Sequence, residues 1–224
     1  LIAPRHGHLS VAVRDEVDPG GCGGVRAEGP YHWSRALSWV AVLQAAALLD
    51  HGAMVIMLPR VEARAHVETL VRSMKYHPVG VRGCSSDAHH SGYRFGPLPE
   101  FLQTDNEDTL VIAQIVRRAA IEIIDELLSV PGVDVALIGP EDLSPSMGVP
   151  GDTEHRFVVE AIDEVIASAR RNNVVPGIHM GSVEVLQGWM DNGMRMLIYS
   201  SDLGFLMESS AARLARIRAA GVRV

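Results

Sequence analysis

Five short apolar runs punctuate the chain: Met54–Pro59 (MVIMLP), Thr109–Ile115 (TLVIAQI), Val133–Gly139 (VDVALIG), Val175–Met180 (VPGIHM) and Met196–Ser200 (MLIYS). Each is short and apolar on both faces, which predicts buried parallel strands. Helical patterns separate them, near 62–75, 118–129, 155–172, 182–192 and 203–219. The pattern at 155–172 puts Val158, Ile162, Val165, Ile166 and Ala169 on one face, with charges opposite. Residues 33–49 also read as helical, with Trp33 and Trp39 on different faces as packing residues. Two earlier strand candidates, at 1–4 and near Gly24–Ala27, bring the expected strands to seven.

Strand–helix units repeated in this way predict an α/β fold with a parallel sheet. A doubly wound sheet and an eight-stranded barrel both satisfy the pattern. Polar residues cluster just after the strands, in Gly139-Pro140-Glu141-Asp142, His179-Met180-Gly181 and Ser200-Ser201-Asp202. Both folds place their sites at those carboxyl ends. No repeat or low-complexity linker divides the 224 residues, so a single domain over 1–224 is expected.

Composition narrows the function classes. Hydrophobic residues make up 47% and charged residues 21%, an ordinary globular balance. A net charge of -7 and the lack of a basic run argue against a nucleic-acid surface. Two cysteines, Cys22 and Cys84, build neither a disulfide framework nor a four-thiolate zinc site. No apolar run reaches the ~18–20 residues of a membrane span, and no signal peptide is visible. A soluble, cytoplasmic location is therefore expected. The chain opens Leu1-Ile2-Ala3 without Met, as though its beginning were absent.

Several residues carry candidate chemistry. Asp142 follows the strand at 133–139, where a carboxylate can ligate a hard divalent cation or, equally, cap the next turn. In His6-Gly7-His8 the two rings point to opposite faces of an extended segment. One of them is either a general base or a loop histidine bonded to backbone. Arg26, after the glycines at 20–24, either clamps a carboxylate or belongs to a flexible turn. Arg82, in Gly80-Val81-Arg82-Gly83, has the same two readings. Gln114, a polar residue in an apolar run, contacts a ligand or ties two strands together. His89-His90, in the loop Cys84–Gly92, reads as solvated, and no base is visibly placed to activate Cys84.

Taken together, Leu49-Asp50-His51-Gly52-Ala53, Lys75 through Gly83 (KYHPVGVRG), Pro131-Gly132-Val133-Asp134, Ile138 through Ser144 (IGPEDLS) and Gly148-Val149-Pro150-Gly151 resemble the HpcH/HpaI aldolase family. The resemblance runs from about His6 to the C-terminal helix. It implies a (β/α)8 TIM barrel, with this chain lacking the family's first strand. It also implies a homo-oligomer in which the last helix packs on a neighbouring subunit. The implied activity is that of a metal-dependent lyase, an aldolase forming a pyruvate enolate and cleaving or making small 4-hydroxy-2-oxo acids. Carried over position by position, the resemblance gives His6 as base and Arg26 as clamp of the pyruvate carboxylate and enolate. It gives Gln114 as a substrate contact and Asp142 as metal ligand.

Three positions depart from the family pattern. Val116 stands for a glutamate metal ligand, Ala3 for the aspartate paired with the catalytic histidine, and Arg5 for the acidic residue before it. Weakened or lost binding of Mg²⁺, Mn²⁺ or Co²⁺ is expected from one remaining carboxylate. Three functions stay open: a 2-oxo acid lyase, a metal-free cyclase or isomerase in the same pocket, and a non-catalytic binding barrel.

Overall fold

The computed structural model describes residues 33–35, 45–84, 89–91, 93 and 96–221. Six parallel strands form one sheet in chain order: β1 (Trp33–Arg35), β2 (Val55–Leu58), β3 (Leu110–Ile115), β4 (Val135–Ile138), β5 (Val175–Met180) and β6 (Met196–Tyr199). The helices between them are α1 (Ala45–Asp50), α2 (Arg64–Met74), α3 (Leu98–Asp108), α4 (Arg118–Glu122), α5 (Ile124–Leu128), α6 (Pro140–Ser146), α7 (Arg156–Arg171), α8 (Val183–Asp191) and α9 (Asp202–Ala219).

Strand alternation splits the apolar side chains into two cores. Ile56, Val111, Ala113, Ala136, Ile138 and Ile178 pack outward against α1, α2, α5, α7 and α8. Val55, Ile112, Val135, Leu137, Met196 and Ile198 form a second cluster on the other face, which among the described residues no helical residue joins. Helices thus cover one face while the sheet's own side chains fill the other. That is the layering of an open, parallel half-barrel, and the strand order never reverses as a doubly wound sheet's does. Of the two architectures the apolar pattern allowed, the doubly wound sheet drops out.

Four sequence expectations need correction. Residues 33–35 are a strand paired with β2, and only 45–50 of the expected helix 33–49 is described as helical. Long-range pairing overrides the local pattern there. The helix expected over 118–129 is broken at Ile123, where φ is -122° and ψ 24°. Helix α3 was not predicted, and it buries none of its residues, so it carries no apolar stripe to read. His89–Ser91 forms a 3-10 turn in which the His90 ring is buried against Phe101 (5.6 Å between centroids), not solvated. The strand candidates at 1–4 and 24–27 lie outside the described residues.

At the amino edge of the sheet, polar groups lock the connections. Arg82 donates to Asp50 (2.6 Å) at the end of α1 and to Asp105 (2.8 Å) in the last turn of α3. Its guanidinium also lies 4.6 Å from the centre of the Tyr76 ring. Lys75 Nζ donates to the carbonyls of Asn106 (2.7 Å) and Thr109 and sits 3.8 Å from Asp134. Burial pulls its pKa down, with Asp134 the strongest opposing charge.

Gly132 makes the tight turn into β4 with φ +94°, and a Cβ there would meet Val71 Cγ1 of α2 at 2.7 Å. Gly132→Ala should cost the ~1–2 kcal/mol of a left-handed non-glycine residue, plus whatever the displaced Val71 adds. Urea unfolding reads it, and an unchanged midpoint would contradict the assignment.

Candidate active site at the carboxyl ends of the strands

Register lays out the site. Gln114 pairs with Leu137, Leu137 with Gly177 and Gly177 with Met196, so these four share one layer of the inner face. Two residues on, towards the carboxyl ends, the next layer carries Val116, Gly139, His179 and Ile198. His179 pairs with Ile198 there, and the Ile138–Ile178 pairing extends to Gly139 and His179. Below lie Ile112 and Val135, and Val55 belongs to the same apolar cluster.

Gln114 therefore faces inward at the mouth, half-buried. Its carbonyl accepts from Val61 N (3.3 Å), which ties the end of β3 to the chain leaving β2. Its carboxamide lies against Gly139, where a Cβ would stand 3.8 Å from Nε2. The backbone of Gln114 thus makes a tie between strands, while its side chain stands half-buried on the inner face.

Val116 is 1% exposed, and its Cγ1 lies 3.0 Å from the place a Cβ on Gly139 would take. An aliphatic side chain thus fills the mouth layer between β3 and β4. Asp142 lies in the first turn of α6, which opens directly after β4, and it is exposed. Gly139, not Asp142, is the N-cap, so the capping role considered for Asp142 is not the one it has. Among the described residues, no group of three or more His, Cys, Asp or Glu stands close enough to hold a metal ion. His6, Arg26, Ala3 and Arg5 lie outside the described residues.

One inward-facing polar group was not singled out from the sequence. His179 sits half-buried at the carboxyl end of β5, and its Nε2 lies 3.1 Å from the carbonyl oxygen of Ser200. Ser200 itself is left-handed, with φ +54°, at the end of β6. The signal was available, because His179, like Gln114, is a polar residue inside an apolar strand. Arg82, a candidate clamp, is committed instead to Asp50 and Asp105 at the opposite edge. Two surface clefts, of about 350 and 340 Å³, include none of Gln114, Val116, Asp142 or His179 in their walls.

Comparison with known proteins places the chain in a family. Residues 36–209 match the family model described as HpcH/HpaI aldolase/citrate lyase. A hydroxypyruvate/pyruvate aldolase of Roseovarius nubinhibens is 32% identical over 171 residues, 76% of this chain and 66% of that one. A 4-hydroxy-2-oxo-heptane-1,7-dioate aldolase of Escherichia coli is 31% identical over 187 residues, 84% of this chain and 71% of that one. The crystal structure of an HpcH/HpaI aldolase from Desulfitobacterium hafniense DCB-2 superposes with a TM-score of 0.77 at 32% identity. It covers 83% of this chain and 71% of its own. This chain thus spans about two thirds of the length of these curated relatives. Through the matched residues 36–209 and these identities, the chain belongs to the HpcH/HpaI aldolase/citrate lyase family.

Proposed function

We propose that the protein is a carbon–carbon lyase, an aldolase that cleaves or forms small 4-hydroxy-2-oxo acids by way of a pyruvate enolate, on a (β/α)8 barrel whose first strand this chain lacks. The observation that carries the reading is the inward-facing Gln114 at the carboxyl end of β3, one strand from the turn bearing Asp142, in a chain of this family. In cleavage, a base removes the C4 hydroxyl proton and the C3–C4 bond breaks. Its electron pair forms the enolate, which is then protonated at C3 to pyruvate.

Gln114 can donate from its carboxamide to the 2-oxo or carboxylate oxygen, where charge develops. The apolar residues Ile112 and Val135 below, with Leu137 beside Gln114, keep water from beneath the enolate and strengthen such hydrogen bonds. The resemblance assigns His6 as the base and Arg26 as the clamp on the carboxylate and enolate.

A resident divalent cation fits these residues poorly. Val116 offers no donor, and Asp142 is a single exposed carboxylate in the first turn of α6. Binding of Mg²⁺, Mn²⁺ or Co²⁺ is accordingly read as weakened or lost, and no step above passes through a cation. A homo-oligomer is part of the same reading. Helix α9 buries none of its residues and exposes Leu203, Leu206, Met207 and Ile217, an apolar set suited to a second copy. No helix among the described residues is long and apolar enough to cross a membrane.

The test is pyruvate release from 4-hydroxy-2-oxopentanoate and from longer 4-hydroxy-2-oxo acids, with and without each of the three cations. Gln114→Ala should lower kcat/KM by about 10²–10³-fold, the scale of a lost oxyanion donor. Absence of pyruvate under every condition would remove the lyase reading.

A further inference from the structure

The imidazole of His179 shares the mouth layer with Val116 and Gly139, and the sheet register directs it inward. Among the described residues its hydrogen-bond partner is the Ser200 carbonyl, 3.1 Å from Nε2. A carbonyl oxygen can only accept, so Nε2 carries a proton. The neutral ring then keeps its lone pair on Nδ1, which has no partner among the described residues. A ring with a fixed tautomer and an open acceptor is what a general base requires.

The Ser200 acceptor is itself held in place. Its backbone is left-handed (φ +54°), a conformation a non-glycine residue keeps only where its surroundings impose it. Ser200 N donates to Met180 O at 3.4 Å, closing the same strand pair from the other side. Gly204, in the first turn of α9, lacks the Cβ that would fall on Ser200 Oγ. Ser201 Oγ caps α9 by accepting from Gly204 N (3.0 Å). The end of β6 and the start of α9 thus aim one carbonyl at one imidazole.

We infer that His179 is an acid–base residue of this site, its Nδ1 taking the proton of the substrate's C4 hydroxyl during cleavage. The inference rests on the lyase reading above. The proton moves from the hydroxyl oxygen to Nδ1, and the C3–C4 electron pair passes into the enolate. The aldehyde carbonyl forms at C4, and the same proton returns to C3, so aldehyde and pyruvate leave with the ring neutral again. Titratable groups at this end, on elements around β5, are Glu141 and Asp142 after β4, His155 before α7, Glu184 in α8, Tyr199 at the end of β6 and Asp202 in α9.

The measurement is the pH profile of kcat/KM for pyruvate release from 4-hydroxy-2-oxopentanoate by the wild type, His179→Gln and His6→Gln. Glutamine can keep the bond to Ser200 O but does not titrate. His179 acts as a base with a free lone pair, so wild-type activity should fall on acidification. His179→Gln should lose this acid limb along with about 10²–10⁴-fold in kcat/KM, with its circular dichroism unchanged. A retained limb in His179→Gln, with its loss in His6→Gln, would overturn the inference and return the role to His6. A wild type that releases no pyruvate would sink the lyase reading itself. The inference is then decided by histidine NMR. Adding oxalate, an enolate-shaped dianion, should move the His179 ring resonances, and unmoved signals would overturn it.

Discussion

Val116→Glu should tighten the binding of Mg²⁺, Mn²⁺ or Co²⁺ by at least the ~10–100-fold that even an outer-shell partner is worth, and pyruvate release should become cation-stimulated. Residue 116 lies in the mouth layer, buried beside the bare Gly139, one strand from the turn that carries Asp142. A carboxylate introduced there would give a hard cation a second anionic oxygen donor, leaving its other positions to water and substrate. Without a cation, the same carboxylate is buried and unpaired, so Val116→Glu in chelator should be less stable than the wild type. Added Mn²⁺ should restore stability in proportion to the logarithm of its concentration over Kd. Titration calorimetry with Mn²⁺ and thermal unfolding in Mn²⁺ against chelator give two readings independent of turnover. A wild type that binds Mn²⁺ as tightly as Val116→Glu would show that other groups already supply the donors, and the account of Val116 would fall.

The central strands were legible because a strand covered on both sides needs apolar residues at every position. The runs at 54–59, 109–115, 133–139, 175–180 and 196–200 contain β2 to β6 with the ends trimmed. Helix α7 was legible for the complementary reason. Its buried Val158, Ile162, Val165, Ile166 and Ala169 recur at helical spacing above an exposed charged face. Where burial comes from distant partners, the signal faded. Helix α3 buries nothing, and Trp33–Arg35 is a strand because β2 pairs with it. His90 reads as solvated in a Ser- and Gly-rich loop, yet Phe101 and Tyr76 cover it from elsewhere in the chain.

The candidate site divides along the same line. Gln114 stood out as an amide in an apolar run, and the register then aimed it inward. Val116 stood out only through the family resemblance, since a valine after a strand is otherwise unremarked. The tautomer of His179 depends on a carbonyl 21 residues away, a relation that no local pattern encodes.

Arg82→Met should destabilise the fold by about 3–5 kcal/mol at neutral pH, the cost of breaking a buried ion pair from one side. The Arg82 side chain has 0% exposure, and Asp105, its more enclosed partner, has 14%. Asp50 is 41% exposed, so water screens that contact and Asp105 carries most of the effect. Methionine fills similar volume but leaves Asp105 without its cation. Burial already raises the Asp105 pKa, with Arg82 the largest opposing influence, so removing Arg82 should raise it further. A carboxyl whose folded pKa exceeds its unfolded value binds protons more tightly when folded. Its penalty is therefore full above the folded pKa and is relieved as pH falls through it. The deficit of Arg82→Met should then be largest at neutral pH and shrink on acidification. Urea unfolding at neutral and mildly acidic pH measures both. Arg82→Lys should recover little, because an ammonium cannot span Asp50 and Asp105 as the planar guanidinium does. Equal deficits at both pH values would show that lost packing on Tyr76, rather than an orphaned carboxylate, sets the cost. The network joins the ends of α1 and α3 at the amino edge of the sheet, the face where barrels keep residues for stability rather than chemistry.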